Sequence, residues 1–149
     1  MEVIAQKYRL KLVREPEGEY KIGYKISSPV RAYEAFKDML ELHQMAEEVF
    51  AILSLDIKSN VIGIFLVSRG SISRSLVSPR EVFKRAILNN ACGIILGHNH
   101  PSGDITASDE DIRITEKLME AGEIIGIKVL DHIIIGDNKY RSLREEGQI

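Results

Sequence analysis

The sequence predicts a mixed α/β domain, a β-sheet with helices packed against it. Three observations carry that prediction. Short apolar runs recur at residues 49–55, 61–67, 91–96 and 127–135, each bounded by turn residues, as buried strands are. Stretches with apolar residues at helical spacing lie between or beside these runs and open after Ser28, Ser78 and Ser108. The chain has 149 residues, 44% hydrophobic and 28% charged, which is enough to bury one core.

Taken in order, residues 3–13 alternate, with Lys7, Arg9 and Lys11 on one face and Tyr8, Leu10 and Leu12 on the other. That is the period of a half-buried strand. Glu15-Pro16-Glu17-Gly18 reads as a turn and residues 20–26 as the returning strand, so residues 1–27 form an N-terminal β-hairpin segment. The seam to the main domain, residues 28–149, falls near Ser27-Ser28. Pro29 then opens a helix whose apolar side is Tyr33, Phe36, Leu40 and the edge residue His43. The runs 49–55 and 61–67, joined by a turn at 56–60, read as central strands because they are apolar on both faces. A further strand is expected at 71–76. Ser78-Pro79-Arg80-Glu81 is a capping box, and its helix carries Val82, Phe83, Ala86 and Ile87 on one side before ending near Asn89-Asn90. A strand at 91–96 leads to a polar stretch, 97–111, and then to a helix with the stripe Ile114, Leu118, Ala121 and Ile125. A strand at 127–135, a turn at 136–138 and a last short strand at 140–143 complete the chain.

Composition narrows the function. A net charge of −2 provides no global attraction to nucleic acid or to anionic membrane. No apolar run approaches the roughly 20 residues of a membrane span, and the charged, alternating N-terminus is not a signal peptide. The single cysteine, Cys92, excludes an internal disulfide and any two-cysteine metal site, and it reads as a small buried apolar residue. These features point to a cytoplasmic protein with no membrane partner. Arg69, Arg74, Arg80, Lys84 and Arg85 form a basic region that reads as a solvated face.

The chemistry is concentrated in the stretch 97–111. His98-x-His100 at the end of a strand aims two imidazoles into one space, where α/β folds place their ligands. Asp111 lies in the first turn of the next helix, whose N-terminus favours an ionised carboxylate. Two histidines and a carboxylate make three ligands, and zinc on three ligands keeps a fourth position for water. A helix cap alone also accounts for Ser108 and Asp111, because Ser108-x-x-Asp111 is itself close to a capping box. The two readings are compatible, since a capping serine still has its own O–H to donate. There is no His-Glu-x-x-His and no Cys-x-x-Cys, so the thermolysin-type and zinc-deaminase ligand sets are missing. His132 reads as a core or supporting histidine that shares a strand face with Leu130 and Ile134, with Asp131 as its partner only through a backbone distortion.

The spacing His98-x-His100, seven residues, Ser108, two residues, Asp111 resembles the JAMM motif of the JAB/MPN metalloproteases. With Pro79-Arg80-Glu81-Val82-Phe83, His98-Asn99-His100-Pro101-Ser102-Gly103-Asp104 and Asp131-His132-Ile133-Ile134-Ile135-Gly136, it is similar to the RadC-like branch over about residues 28–145. The resemblance implies a JAB/MPN-like curved mixed β-sheet flanked by helices, related to the deaminase fold. It implies one Zn2+ per chain on His98, His100 and Asp111, with Ser108 stabilising an oxyanion. It also implies a general acid/base glutamate before an early strand, matched here by Glu48 in Glu47-Glu48-Val49-Phe50. Ile105 and Ala107 stand where relatives often have proline, which removes no ligand. Longer RadC proteins carry an N-terminal helix-hairpin-helix domain, and this chain has only the short alternating segment there.

The function expected is therefore zinc-dependent hydrolysis of a peptide or isopeptide bond by an activated water, with a peptide or protein as substrate. Two other classes compete: a catalytically silent MPN-like scaffold, and a DNA-repair or mobile-element-associated protein acting on nucleic acid. Metal content with a peptidase assay separates the first, and a steep salt dependence of DNA affinity identifies the second.

Overall fold

The computed structural model describes residues 5–9, 11–13, 24–70 and 77–149. They form helix α1 (Pro29–Leu40), a 3-10 turn (Leu42–Gln44), strands β1 (Val49–Leu55) and β2 (Val61–Arg69), helix α2 (Pro79–Leu88), strand β3 (Gly93–Asn99), helix α3 (Asp109–Ile125) and strands β4 (Lys128–Ile135) and β5 (Tyr140–Ser142). Among the described residues the sheet has the order β2-β1-β3-β4-β5. It is mixed: β1 runs antiparallel to β2 and β3, β3 parallel to β4, and β5 antiparallel to β4. This is the α/β class that the sequence predicts, an open mixed sheet with three flanking helices.

Two apolar clusters cover the two faces of the sheet. α2 and α3 place Val82, Phe83, Ala86, Ile114 and Leu118 against Phe50, Ile52, Ile94 and Leu96. α1 places Ala32, Ala35 and Phe36 against Ala51, Leu53, Ile95, Ile133 and Ile135 on the other face. β1 and β3 are buried along their whole length, so their apolar character on both faces is explained by cover on both. The tip of the Phe36 ring packs on the β3 backbone at Gly97, where an added Cβ would stand 2.5 Å from it. That contact requires glycine at this position.

The structure corrects several details. Alternation over 3–13 predicts a strand, yet residues 5–9 and 11–13 are exposed and belong to none, with Tyr8 at 81% exposure. Period alone does not make a strand; a ladder partner does. The rest of that expected hairpin lies outside the described residues, apart from residues 24–26, where Lys25 bridges Asn60. The strand expected at 71–76 also lies outside them. The run 61–67 reads as central, but β2 ends the described sheet, and its Ile62 and Leu66 are exposed. α1 stops at Leu40 because Glu41 adopts φ 52°, so His43 falls in the 3-10 turn. Cys92 is exposed, not buried. Finally, β4 bulges at Leu130: Ile94 pairs with Val129 and Ile95 with Asp131. The bulge sends Leu130 to the α1 side and turns His132 toward α3.

Candidate metal centre

The centre is assembled at the end of β3 and the start of α3. β3 extends through Asn99, three residues further than the apolar run predicts, because its ladder to β4 continues: His98 pairs with Ile134, Asn99 with Ile135, and His100 N–H donates to the Ile135 carbonyl at 2.8 Å. This fixes His98 and His100 on the α3 face of the sheet. The loop then turns tightly, with Gly103 N–H on the His100 carbonyl at 2.9 Å. It seats against Gly136, just beyond β4, where a Cβ would meet the Gly103 carbonyl oxygen at 2.5 Å. Ser108 caps α3 by a reciprocal box: its Oγ accepts from Asp111 N–H at 3.1 Å, and Asp111 Oδ2 accepts from Ser108 N–H at 2.8 Å.

Three side chains converge as a result. His98 Nε2 stands 2.8 Å from His100 Nε2 and 3.2 Å from Asp111 Oδ1, and His100 Nε2 stands 3.4 Å from Asp111 Oδ2. His98 and Asp111 are buried and His100 is half-buried.

Hydrogen bonds behind the imidazoles determine which ring nitrogens carry protons. Thr115 Oγ donates to the Asp111 carbonyl at 2.6 Å and has no second hydrogen, so it accepts from His132 Nδ1–H, also at 2.6 Å. Burial and the neighbouring His98 push His132 well below the usual histidine value, so it is neutral and its Nε2 accepts from His98 Nδ1–H at 2.7 Å. His100 Nδ1–H donates to the Asp104 carbonyl at 2.6 Å. In the neutral form of each ring, Nε2 therefore turns a lone pair toward the other ring and toward the Asp111 carboxylate. Three electron-rich groups at this distance repel unless a cation or a proton stands among them.

The arrangement fits a metal ion. Ligands at the corners of a zinc tetrahedron with bonds of about 2.0–2.1 Å lie about 3.3 Å apart, close to the separations found here. Each imidazole also donates its remote N–H to a fixed partner, as metal-ligating histidines do. Burial pushes the Asp111 carboxyl up, but its contacts with His100 and His98, where a proton on Nε2 bonds the carboxylate, and the Ser108 backbone N–H outweigh it and hold the group ionised, well below the usual carboxylate range. The Asp111 contact raises His100 above its ordinary value, against the opposing effect of burial.

A cleft of about 310 Å³ opens onto these atoms and is lined by Glu48, His100, Pro101, Ser102, Ser108, Glu110 and Asp111. The antiparallel β1–β3 ladder ends at the pair Phe50–His98, so Glu48, two residues before Phe50, enters beside the strand end that carries the histidines. Of the five residues that the sequence nominates, Glu48, His100, Ser108 and Asp111 line the cleft, and His98 stands behind it, in contact with His100 and Asp111.

Two others, Thr115 and Asn99, escape sequence reasoning. Thr115 joins His132, which the sequence reads as a core or supporting histidine, in the hydrogen-bond relay behind His98, and Asn99 bonds to the segment that carries Glu48. Thr115 falls one residue after Ile114 on the buried stripe of α3, which was the available signal. Asp131 is occupied elsewhere: it accepts from His132 N–H at 2.7 Å and from Ser142 Oγ at 2.6 Å, fastening β5.

Comparison with known proteins agrees with this geometry. The family described as "RadC-like JAB domain" matches residues 26–148. A UPF0758 protein of Desulfitobacterium hafniense is 54% identical over 109 residues, covering 73% of this chain and 48% of its own length. A UPF0758 protein of Caldanaerobacter subterraneus is 52% identical over 109 residues, with 73% and 47% covered. One of Alkaliphilus oremlandii is 52% identical over 127 residues, with 85% and 54% covered. The chain spans about half the length of the curated relatives it matches. With the family matched over residues 26–148, the two histidines and the aspartate of the motif gathered together, and the serine beside them on the cleft, the chain belongs to the RadC-like JAB domain family.

Proposed function

We propose that this protein is a zinc-dependent metallohydrolase that cleaves a peptide or isopeptide amide. One observation carries the reading: two imidazole nitrogens and a carboxylate oxygen lie within 4.8 Å of one another, beside a cleft that His100, Asp111 and Glu48 line. Bound zinc would supply a Lewis acid and a water whose pKa is lowered to about 7. His98, His100 and Asp111 would hold the ion and leave a position toward the cleft.

The chain's own groups would do the rest. Glu48 takes a proton from the attacking water and later returns it to the leaving amine. Ser108 Oγ already accepts from Asp111 N–H, so its own hydrogen is available to donate to a developing oxyanion. The Thr115–His132–His98 relay keeps the His98 lone pair aimed at the ion. Asp104 does the same for His100 through its carbonyl.

The test pairs two variants. Glu48→Gln is expected to retain one zinc per chain by elemental analysis and to lose at least about a hundredfold in turnover, the contribution of a general base. His98→Ala is expected to lose both zinc and turnover. A purified wild-type protein with stoichiometric metal but no peptidase activity would favour the silent scaffold, and one without metal would sink the scheme.

A further inference from the structure

We infer that Asn99, the residue between the two histidines, is a positioning residue for Glu48. Its side chain is buried, and all its polar atoms go to one short segment. Asn99 Nδ2 donates to the Glu47 carbonyl at 2.9 Å and to the Met45 carbonyl at 3.1 Å, and Asn99 Oδ1 accepts from Val49 N–H at 2.7 Å. These partners flank Glu48 on both sides, and the contact spans 50 residues of sequence. The Glu48 carbonyl between them is taken by Gly70 N–H, just beyond the end of β2, at 2.9 Å. The backbone that presents Glu48 to the cleft is thus pinned from the histidine strand on one side and from the end of β2 on the other.

Strand alternation explains why this residue has the task. Side chains along β3 point to opposite faces in turn, so His98 and His100 reach the α3 side while Asn99 reaches the α1 side, where the chain enters β1. One strand end places the metal ligands with its even residues and the acid/base with its odd one. The chemistry of the contact requires a carboxamide. Two carbonyls need donors and one N–H needs an acceptor, which Asn supplies from a single planar group. Aspartate would turn an acceptor toward the carbonyls, and glutamine would carry the amide one methylene too far.

Glu48's role rests on the proposed function, so the experiment reads Asn99 by means that do not need activity. Zinc-loaded Asn99→Ala should bind zinc within about threefold of wild type by chelator competition, because Asn99 is not a ligand. Its crystal structure should show Glu48 withdrawn from the cleft. Amide hydrogen exchange should speed up at Val49 while Ala51 to Leu53 in the same strand stay protected, whereas a merely structural loss would accelerate the whole strand. On any peptide that wild type cleaves, kcat should fall toward that of Glu48→Gln with KM little changed. If Asn99→Ala does not fold, Asn99→Asp, of equal size, is read by the position of Glu48: it keeps an acceptor for Val49 N–H, so Val49 should stay protected while Glu48 is released. A folded variant of either kind with Glu48 in its original place would overturn the inference. Absence of peptide hydrolysis by wild type would instead overturn the proposed function, and the crystal and exchange results would still decide the role of Asn99.

Discussion

Two helices of this protein begin with the same device and use it differently. α2 starts Ser78-Pro79-Arg80-Glu81 and α3 starts Ser108-Asp109-Glu110-Asp111, each with a capping serine and an acid three residues on. In both, the serine oxygen accepts the backbone N–H of the acid, at 3.4 Å in α2 and 3.1 Å in α3. The acids then diverge. Glu81 turns along its own helix to Lys84 at 2.6 Å and Arg85 at 3.4 Å, partly in solvent. Asp111 is buried against two imidazoles. The difference is one of phase. The buried stripe of α2 is Val82, Phe83 and Ala86, and Glu81 stands one residue, about 100° of rotation, outside it. Asp111 is in phase with Ile114, Thr115 and Leu118, so it stands at the head of its stripe and faces the sheet. A capping acid is a candidate ligand when it shares the phase of the buried face, and an ordinary surface charge when it does not.

Substituting the two acids should give the largest contrast. Asp111→Asn keeps an oxygen for Ser108 N–H but removes the anionic ligand, so zinc affinity should fall by more than the about 10–100-fold that loss of an outer partner costs. Glu81→Gln should leave zinc affinity unchanged, and chelator competition on both variants would break the comparison if they behaved alike. A smaller effect is expected one turn along the stripe. Thr115→Val preserves shape but leaves His132 Nδ1–H without its acceptor, at a cost of about 1–3 kcal/mol in unfolding free energy. It should also lower zinc affinity by up to about 100-fold, because the relay no longer fixes the His98 tautomer. The smallest effects come from the caps. Ser78→Ala and Ser108→Ala should each cost about 1 kcal/mol in denaturant unfolding with chelator present. Only Ser108→Ala should also slow turnover, and equal kinetics in the two would remove Ser108 from the chemistry.

How much could be read in advance follows from sequence distance. His98, His100, Ser108 and Asp111 lie within one strand-to-helix connection, so local rules, a strand end and a helix cap, bring them together. Glu48 required a resemblance, because only the β1–β3 ladder, which ends at Phe50–His98, brings it beside the histidines. Asn99 looked like a spacer, since its partners lie about fifty residues away and a carboxamide between histidines signals nothing locally. The face of His132 was misread because one extra residue, Leu130, inverts the alternation, and a bulge leaves no mark in an apolar run. The N-terminal alternation misled in the opposite sense: residues 5–9 and 11–13 have the period of a strand without its ladder.

The β1–β2 and β3–β4 ladders both contain register shifts, whereas the β1–β3 ladder runs unbroken from Leu55–Gly93 to Phe50–His98. That uninterrupted pairing has a consequence for how this chain can vary. Outer strands absorb an inserted or deleted residue by bulging. A single-residue insertion between Glu48 and Phe50 would invert parity and send Glu48 to the α1 side, away from His98 and His100. The site therefore tolerates changes of letter along β1 far better than changes of length. Insertions should be confined to the connections at 56–60 and 136–138, where the spacing of the two strand ends does not depend on them.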